Sequence, residues 1–183
     1  QEISGTDTWY NYDVFVSKYD SGGDKIWTNL IGSEVSEITS YSSDYGHGIT
    51  IGDDDSIYIT GMTHGDLDGN NYYLPNPSFP DEKPYNGFVS KLYPNGELDW
   101  TTSLGINQGY DIEIGNDGHL YVGASRVMPV DNKRSEGDFN LFKLNPIDGS
   151  IIREFNIDNG TDGQAGGYES EIRATDDGIY AMD

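Results

Sequence analysis

An all-β fold built from repeated, four-stranded antiparallel units is predicted for this chain by two observations. First, Phe-Val-Ser-Lys occurs at residues 15–18 and again at residues 88–91, and a Trp-Thr pair begins nine residues after each lysine. Second, no segment shows the apolar period of a helix, whereas several show the period-two alternation of strands. Units that recur at a long, fixed offset indicate supersecondary elements that bury their apolar surface by stacking on a neighbour.

The strands are predicted from blocks of alternating residues. Residues 49–51 read Ile-Thr-Ile and residues 112–114 read Ile-Glu-Ile, and a β-branched and aromatic run follows each of them, at residues 57–60 and 120–122. Such blocks are typical of half-buried strands. Between them lie turns, and in all of them except residues 53–56 a glycine can supply the positive φ that tight hairpins require. The turns lie at residues 21–23, 53–56, 94–96, 116–118, 148–149 and 176–178.

Four antiparallel strands per unit is the architecture of a β-propeller blade. We predict a full blade over residues 46–105, a second over residues 109–157, the second half of a blade over residues 9–32 and the first half of another over residues 168–183. Residues 1–183 would thus form a partial propeller of about three blades. Because propellers usually close with about four to eight blades, we expect part of a larger propeller, or an open arc that another chain completes.

Packing between blades is predicted from the apolar and aromatic residues. Residues 88–89 and 120–122 carry apolar side chains that point to both faces of their strands, as expected where a sheet is sandwiched between two neighbours. Trp27 and Trp100 are expected to fill the gap between blades, because large aromatic side chains in strands generally serve packing.

Several joined stretches of the sequence resemble a known family. They are residues 12–20, the Trp-Thr pair that follows, residues 57–63 and residues 65–70. They are similar to the bacterial β-propeller repeat called SBBP, for seven-bladed β-propeller, and the resemblance extends over nearly the whole chain. The sequence departs from it at residues 72–85, which contain four prolines, and at Arg153, which stands in place of tryptophan. The resemblance implies a secreted or surface-exposed bacterial protein, usually without an assigned activity.

The composition limits the kinds of partner that the protein is expected to bind. A formal net charge of −22 on 183 residues predicts a surface that repels nucleic acid and anionic membranes. The chain has no apolar run near the roughly twenty residues of a membrane span, and no cysteine for disulfides or thiol catalysis. We therefore expect a secreted or cell-surface protein, working in salt or calcium, whose partners are surface proteins, glycans or other copies in an assembly.

Calcium is the candidate cofactor, with Asp66, Asp68 and Asn70 as ligands. Alternating oxygen donors followed by a glycine bend can wrap a hard cation. The segment is not an EF-hand, because Pro77 stands where that motif needs a bidentate glutamate. The alternative is a solvated turn. Residues 53–55, three consecutive aspartates, are expected to form a hairpin turn instead, since Asn-Asp-Gly and Asp-Asp-Gly occupy that place in other units.

The insert at residues 72–85 is the candidate contact surface for a partner. Tyr72, Tyr73, Phe79 and Tyr85 offer aromatic area on a loop that its prolines stiffen, so little entropy is lost on binding. The alternative is a loop that folds back over the blade edge.

No catalytic residue is predicted. His47, His64 and His119 are the chain's histidines, and no nucleophile elbow or metal-binding histidine pair accompanies them. The favoured function is therefore a non-catalytic extracellular scaffold for adhesion, assembly of a surface or appendage, or glycan or protein binding. The alternative is a secreted propeller enzyme, acting on polysaccharide or as a quinoprotein-like oxidoreductase, whose central channel would carry convergent Arg, Lys and His.

Overall fold

The structure, a computed structural model, describes residues 12–33, 43–67, 69, 86–105, 107–126, 128–130, 133–135, 139–157 and 171–182. These residues form strands and turns. The strands are β1 Val14–Tyr19, β2 Lys25–Ile31, β3 Asp44–Ile51, β4 Ile57–Thr63, β5 Asn86–Leu92, β6 Leu98–Ser103, β7 Asn107–Ile114, β8 Leu120–Arg126, β9 Met128–Val130, β10 Lys133–Ser135, β11 Phe139–Leu144, β12 Ile151–Ile157, β13 Glu171–Thr175 and β14 Gly178–Met182.

The strands form two four-stranded antiparallel sheets between two strand pairs. Sheet I has the order β3-β4-β5-β6 and sheet II the order β7-β8-β11-β12. The N-terminal pair is β1-β2 and the C-terminal pair is β13-β14. The prediction of an all-β fold with four-stranded antiparallel blades is confirmed. A short hairpin, β9-β10, stands between β8 and β11; the sequence analysis did not anticipate it, because its strands are only three residues long.

The core lies between the sheets, so each inner strand is buried on both faces. Phe88 and Val89 are neighbours in β5 and are 1% and 0% exposed. Phe88 belongs to a cluster with Val14 and Ile31 of the N-terminal pair, whereas Val89 packs in a second cluster with Leu120 of sheet II. Each such side chain contributes roughly 1.5–3 kcal/mol of burial. Successive residues of a strand point to opposite faces, so a strand that is buried on both faces needs apolar residues at neighbouring positions. This accounts for the apolar neighbours in β4, β5 and β8.

The N-terminal pair and sheet I each contact the following sheet through a tryptophan that packs on a glycine turn. A Cβ atom on Gly96, in the β5-β6 turn, would lie 3.0 Å from Cζ3 of Trp27 in the N-terminal pair. A Cβ atom on Gly149, in the β11-β12 turn, would lie 2.6 Å from Cε3 of Trp100 in sheet I. Both tryptophans thus pack on the hairpin of the following sheet, as the sequence predicted.

A side-chain hydrogen bond accompanies each of these contacts. The Asn29 amide donates to the Gly96 carbonyl oxygen at 2.7 Å, and the Thr102 hydroxyl donates to the Gly149 carbonyl oxygen at 2.9 Å. Asn29 and Thr102 stand two residues after their tryptophans. The contact between sheets is therefore part of the repeat.

The connections at one end of the strands differ in length from those at the other end. Successive connections of an antiparallel meander alternate between the two ends of its strands. We call one end the turn face; its connections span residues 20–24, 52–56, 93–97, 115–119, 145–150 and 176–177. We call the other end the loop face; its connections span residues 32–43, 64–85, 104–106, 127–138 and 158–170. The insert at residues 72–85 therefore belongs to a connection that leaves and re-enters sheet I at the loop face.

The glycine contact makes a prediction about stability. Gly149 and Gly118 have φ values of +71° and +74°, but a Cβ on Gly118 would meet nothing within 4 Å. Gly118→Ala should cost about 1 kcal/mol, because only the backbone is strained. Gly149→Ala should cost a further ~1–3 kcal/mol, because the new methyl group collides with Trp100. Urea unfolding of both variants measures the difference, and equal losses would contradict the packing described here.

Candidate functional site

Of the residues that the sequence analysis singled out for binding, the structure describes Asp66. Its Oδ1 accepts a hydrogen bond from the backbone N–H of Gly69 at 2.6 Å, which closes a turn just after β4. The cleft beside it, lined by residues such as Thr63 and Leu67, has a volume of about 10 Å³, room for one water molecule. Among the described residues, no group of three or more His, Cys, Asp or Glu side chains could hold a metal.

The remaining candidates lie outside the described residues. They are the calcium ligands Asp68 and Asn70 and the aromatic contacts Tyr72, Tyr73, Phe79 and Tyr85. The calcium site and the aromatic contact surface therefore stay predictions, and the structure provides the strand ends from which they extend.

Asp44 anchors those strand ends. It is 2% exposed at the loop-face end of β3, and its Oδ2 accepts the Ser33 backbone N–H at 2.7 Å. The hydroxyls of Ser33 and Thr63 also donate to its carboxylate. A buried carboxylate is stable only with such donors. Because Ser33 and Thr63 each stand next to a long loop-face connection, this one carboxylate ties the bases of both connections together.

Two histidines are held in contacts within the fold. His64 is buried, and its backbone N–H and Nδ1 each lie 3.1 Å from the Ser43 carbonyl oxygen. His47 stacks on Tyr110, with ring centroids 5.5 Å apart and planes 9° apart, and its Nδ1 donates to the Gly109 carbonyl oxygen at 2.8 Å. Both side chains thus take part in contacts that hold the fold together.

The stack occurs where a β-bulge interrupts the first strand of each sheet. The register shifts between Gly46 and Gly48 in β3, and between Gly109 and Asp111 in β7. His47 and Tyr110 are the residues inserted at these bulges, and a bulge re-aims a side chain. The two strands lie side by side, so the inserted rings meet.

A charged cluster joins β7 to β13. The Arg173 guanidinium lies 3.1 Å from Asp111 and 3.4 Å from Glu113, and it also pairs with Glu171. Asp111 in addition accepts the Ile172 backbone N–H at 2.9 Å. Burial raises the pKa of Glu113, Arg173 opposes that rise, and the Asp111 charge adds to it. The single arginine is thus shared among three carboxylates.

A second charged cluster, around Asp117 and Lys143, lies at the turn face of sheet II. Lys143 Nζ is 2.6 Å from Asp117 Oδ2 and 5.5 Å from the centroid of the Tyr121 ring. The Tyr121 hydroxyl donates to the same carboxylate at 3.0 Å, and His119 donates its backbone N–H to Asp117 Oδ1 at 3.2 Å. The Lys143 hydrogen bond, with these two, lowers the pKa of Asp117 to about 2.

In the equivalent turn of sheet I, Asp54 likewise accepts hydrogen bonds from residues of its own hairpin. Asp54 accepts hydrogen bonds from the Ser56 backbone N–H at 3.0 Å and from its hydroxyl at 2.9 Å. These bonds lower the pKa of Asp54. The expectation that residues 53–55 form a hairpin turn is confirmed.

Sequence reasoning missed Asp44, the His47–Tyr110 stack and the Arg173 cluster. For the stack alone the sequence held a signal, because His47 and Tyr110 occupy equivalent positions in the two repeats, and equivalent positions of stacked sheets lie near each other. The partners stand up to 63 residues apart, so no local pattern joins them.

The Asp117 cluster predicts a pH dependence. A folded-state pKa of about 2, below the ordinary 3.8, stabilises the fold above the ordinary pKa, and this stabilisation is lost as pH falls from about 5 toward 2. The contribution to the free energy of unfolding is small, because the Lys143–Asp117 pair is partly exposed to solvent. Lys143→Met should raise the pKa of Asp117 toward its ordinary value, measured by carboxyl ¹³C NMR titration. Asp148, whose pKa is lowered by Ser150, is the internal control; an unchanged Asp117 titration would contradict the assignment.

Comparison with known proteins bears on the family. Residues 26–68 match the SBBP family, described as a beta-propeller repeat. This match runs from β2 through β3 and β4, across the junction between the N-terminal pair and sheet I. No curated protein matches the chain. In the part of the chain that the structure describes, no helix is long and apolar enough to cross a membrane. Residues 26–68 are thus similar to an SBBP-type repeat, and the two four-stranded antiparallel sheets have the strand arrangement of β-propeller blades.

Proposed function

We propose that this protein is a non-catalytic, extracellular β-propeller scaffold that presents its loop face to a protein or glycan at a cell surface. The role is adhesion or the assembly of a surface layer or appendage. The observation that carries the proposal is that the connections of the turn face and of the loop face differ in length. Every turn-face connection within the described fold is a tight hairpin, whereas residues 64–85 and 127–138 leave the loop face as long connections between paired strands. Binding residues concentrate on loops that a rigid scaffold positions.

The base of the loop face supports this role. Asp44 joins Ser33 to Thr63 through buried hydrogen bonds, so the ends of two long connections are fixed relative to each other. Fixing the ends of a binding loop lowers the entropy lost when the loop meets its partner.

The polar side chains of the fold favour binding over catalysis. The enzyme alternative needs basic side chains that converge where the first strands of the sheets meet. In the described first strands, those side chains are His47 and Arg173. His47 is stacked on Tyr110 and Arg173 is shared among three carboxylates. Both serve contacts between neighbouring sheets.

The composition supports the extracellular setting. With a net charge of −22, a propeller surface of this kind benefits from salt and divalent cations, which screen its self-repulsion. Asp66, Asp68 and Asn70 are the proposed calcium ligands, and bound calcium would stiffen the connection that carries the aromatic insert.

Replacing the insert tests the loop-face proposal. A variant with a short Gly-Ser linker in place of residues 72–85 should keep its strand circular dichroism and lose binding on a cell-surface glycan array, because Tyr72, Tyr73, Phe79 and Tyr85 are gone. Asp55→Gly is the matched control on the turn face. Asp55 has a φ of 60°, which glycine adopts without strain, so this variant should bind normally.

Two results would contradict the proposal. Unchanged array binding by the linker variant would show that the insert is not the contact surface. Release of reducing ends from a polysaccharide by the wild-type protein would favour the enzyme alternative.

Calcium titration tests the cofactor proposal separately. Calorimetric titration of chelator-stripped protein should show micromolar to millimolar binding and a higher melting temperature, because a ligand of the folded state stabilises it. Asp66→Asn with Asp68→Asn should abolish the heat of binding. Asp54→Asn, a turn-face carboxylate held by Ser56, should leave it intact. Wild-type protein without binding heat would make Asp66 an ordinary turn residue.

A further inference from the structure

Lysine and arginine are distributed unevenly between the two faces of the fold. The connections of the turn face contain aspartate and glutamate, and neither lysine nor arginine occurs in their sequences. At the loop face, the connection between β8 and β11 carries Lys133 and Arg134, and Arg126 is the last residue of β8. Three of the ten basic residues of this chain therefore lie between residues 126 and 134, at the loop face of sheet II.

The β9-β10 hairpin brings these three residues close together. Arg134 in β10 pairs with Pro129 in β9, and Pro129 follows Arg126 by three residues. A chain advances at most about 3.6 Å per residue and paired Cα atoms lie about 5 Å apart, so roughly 16 Å is the greatest distance between the Cα atoms of Arg126 and Arg134. A short oligosaccharide can span that distance. We call β9, β10 and Arg126 the basic hairpin.

Three basic side chains of the sheets are already engaged by carboxylates. Lys91 lies 3.2 Å from Asp99, and Lys143 lies 2.6 Å from Asp117. Arg173 is shared among three carboxylates of β7 and β13. These pairs serve the internal contacts of the fold, so they offer little charge to a ligand.

The register of the basic hairpin is different. Arg126 ends β8 opposite Asn107, whereas the equivalent residue of sheet I, Thr63, ends β4 opposite Asp44. An amide thus replaces the buried carboxylate at the position where the arginine stands. The other two basic residues of the hairpin also have uncharged cross-strand partners. The strand pairing therefore places these cations beside neutral residues.

The basic hairpin leaves the fold beside the aromatic insert. Residues 64–85 connect β4 to β5, and residues 127–138 connect β8 to β11, which are equivalent strands of sheets I and II. The two sheets are neighbours, because Tyr58 of β4 and Val122 of β8 belong to one core cluster. Two long connections thus extend from adjacent sheets at the same end of the strands, where one ligand can contact both.

We propose that the basic hairpin binds an anionic glycan, with Arg126, Lys133 and Arg134 as the residues that pair with its carboxylate or sulfate groups. A guanidinium presents parallel N–H donors that match the paired oxygens of such an anion, and the hydrogen bonds are strengthened by the charges. This inference rests on the proposed function, because it requires the loop face to be the binding face, and it specifies the class of glycan.

The net charge of −22 restricts the ligand to one whose charges are spaced along its chain. A strand such as β4, of seven residues, separates the two faces by roughly 20 Å. The Debye length in 0.1 M salt is about 10 Å, so the turn-face carboxylates are screened from a ligand at the loop face. Duplex DNA, with one charge per about 1.7 Å of its axis, extends past the hairpin and meets the acidic surface around it.

Binding to defined polysaccharides tests the proposal. Polygalacturonate supplies carboxylates, dextran sulfate supplies sulfates, and dextran is the neutral control. In biolayer interferometry at 0.1 M salt, the full chain should bind one or both acidic polysaccharides and not dextran. Binding should be lost in 1 M salt, where the Debye length is about 3 Å. The polysaccharide that is bound identifies the acidic group.

Matched charge variants locate the site. Lys133→Gln with Arg134→Gln should raise the Kd for the acidic polysaccharide about tenfold or more, and adding Arg126→Gln should raise it further. Lys18→Gln with Lys25→Gln removes the same charge from exposed residues next to the turn face, and should leave the Kd unchanged. Lys133→Arg with Arg134→Lys keeps the charge and should keep the binding, which separates loss of charge from loss of the hairpin.

Four outcomes would overturn the proposal. They are a wild-type protein that binds neither acidic polysaccharide, binding that persists unchanged in 1 M salt, equal weakening by the hairpin pair and the turn-face pair of substitutions, and binding of duplex DNA as tight as that of the polysaccharide.

The variant with a linker in place of residues 72–85 distinguishes this inference from the function on which it rests. If that variant loses array binding while Lys133→Gln with Arg134→Gln keeps full affinity for acidic polysaccharides, the loop-face function stands and this inference fails. If the linker variant keeps its array binding and the hairpin variant loses affinity, the insert is excluded as the contact surface and the basic hairpin is supported.

Discussion

Burial of the inner strands of sheets I and II on both faces, between neighbouring sheets, is the constraint on which the structure depends. Phe88 and Val89, adjacent in one strand, serve two different cores. A flat blade has too little apolar surface of its own, so its stability comes from stacking. The Trp27–Gly96 and Trp100–Gly149 contacts then fix how far each sheet is displaced from the next, because a side chain on either glycine would push the sheets apart.

This constraint also decides where function can reside. Side chains inside the stack are committed to packing or to satisfying one another, as the Asp44 hydrogen bonds and the Arg173 ion pairs show. The turn face is occupied by hairpins whose aspartates bond their own backbone. The loop face is the part of the molecule where connection length varies without disturbing the stack, and it offers the freedom that recognition needs.

Stacking also explains why equivalent residues of the repeat differ in exposure. Phe88 and Ile112 are buried in the clusters between sheets, whereas Phe15 and Ile49, at the same repeat positions, are exposed. Burial of a strand residue in this fold therefore depends on the neighbouring sheet and not on the residue's own blade.

The sequence by itself determined the strands, the hairpins, the repeat and the pairing of four strands into a blade, because these follow from alternation and turn chemistry between residues close in the chain. It also placed Trp27 and Trp100 between blades. Only the tertiary structure decided that Asp44 joins two loop bases, that His47 meets Tyr110 and that Arg173 is shared by three carboxylates. These contacts cross from one repeat to the next, and their partners are set by how twisted sheets stack, which no local periodicity encodes.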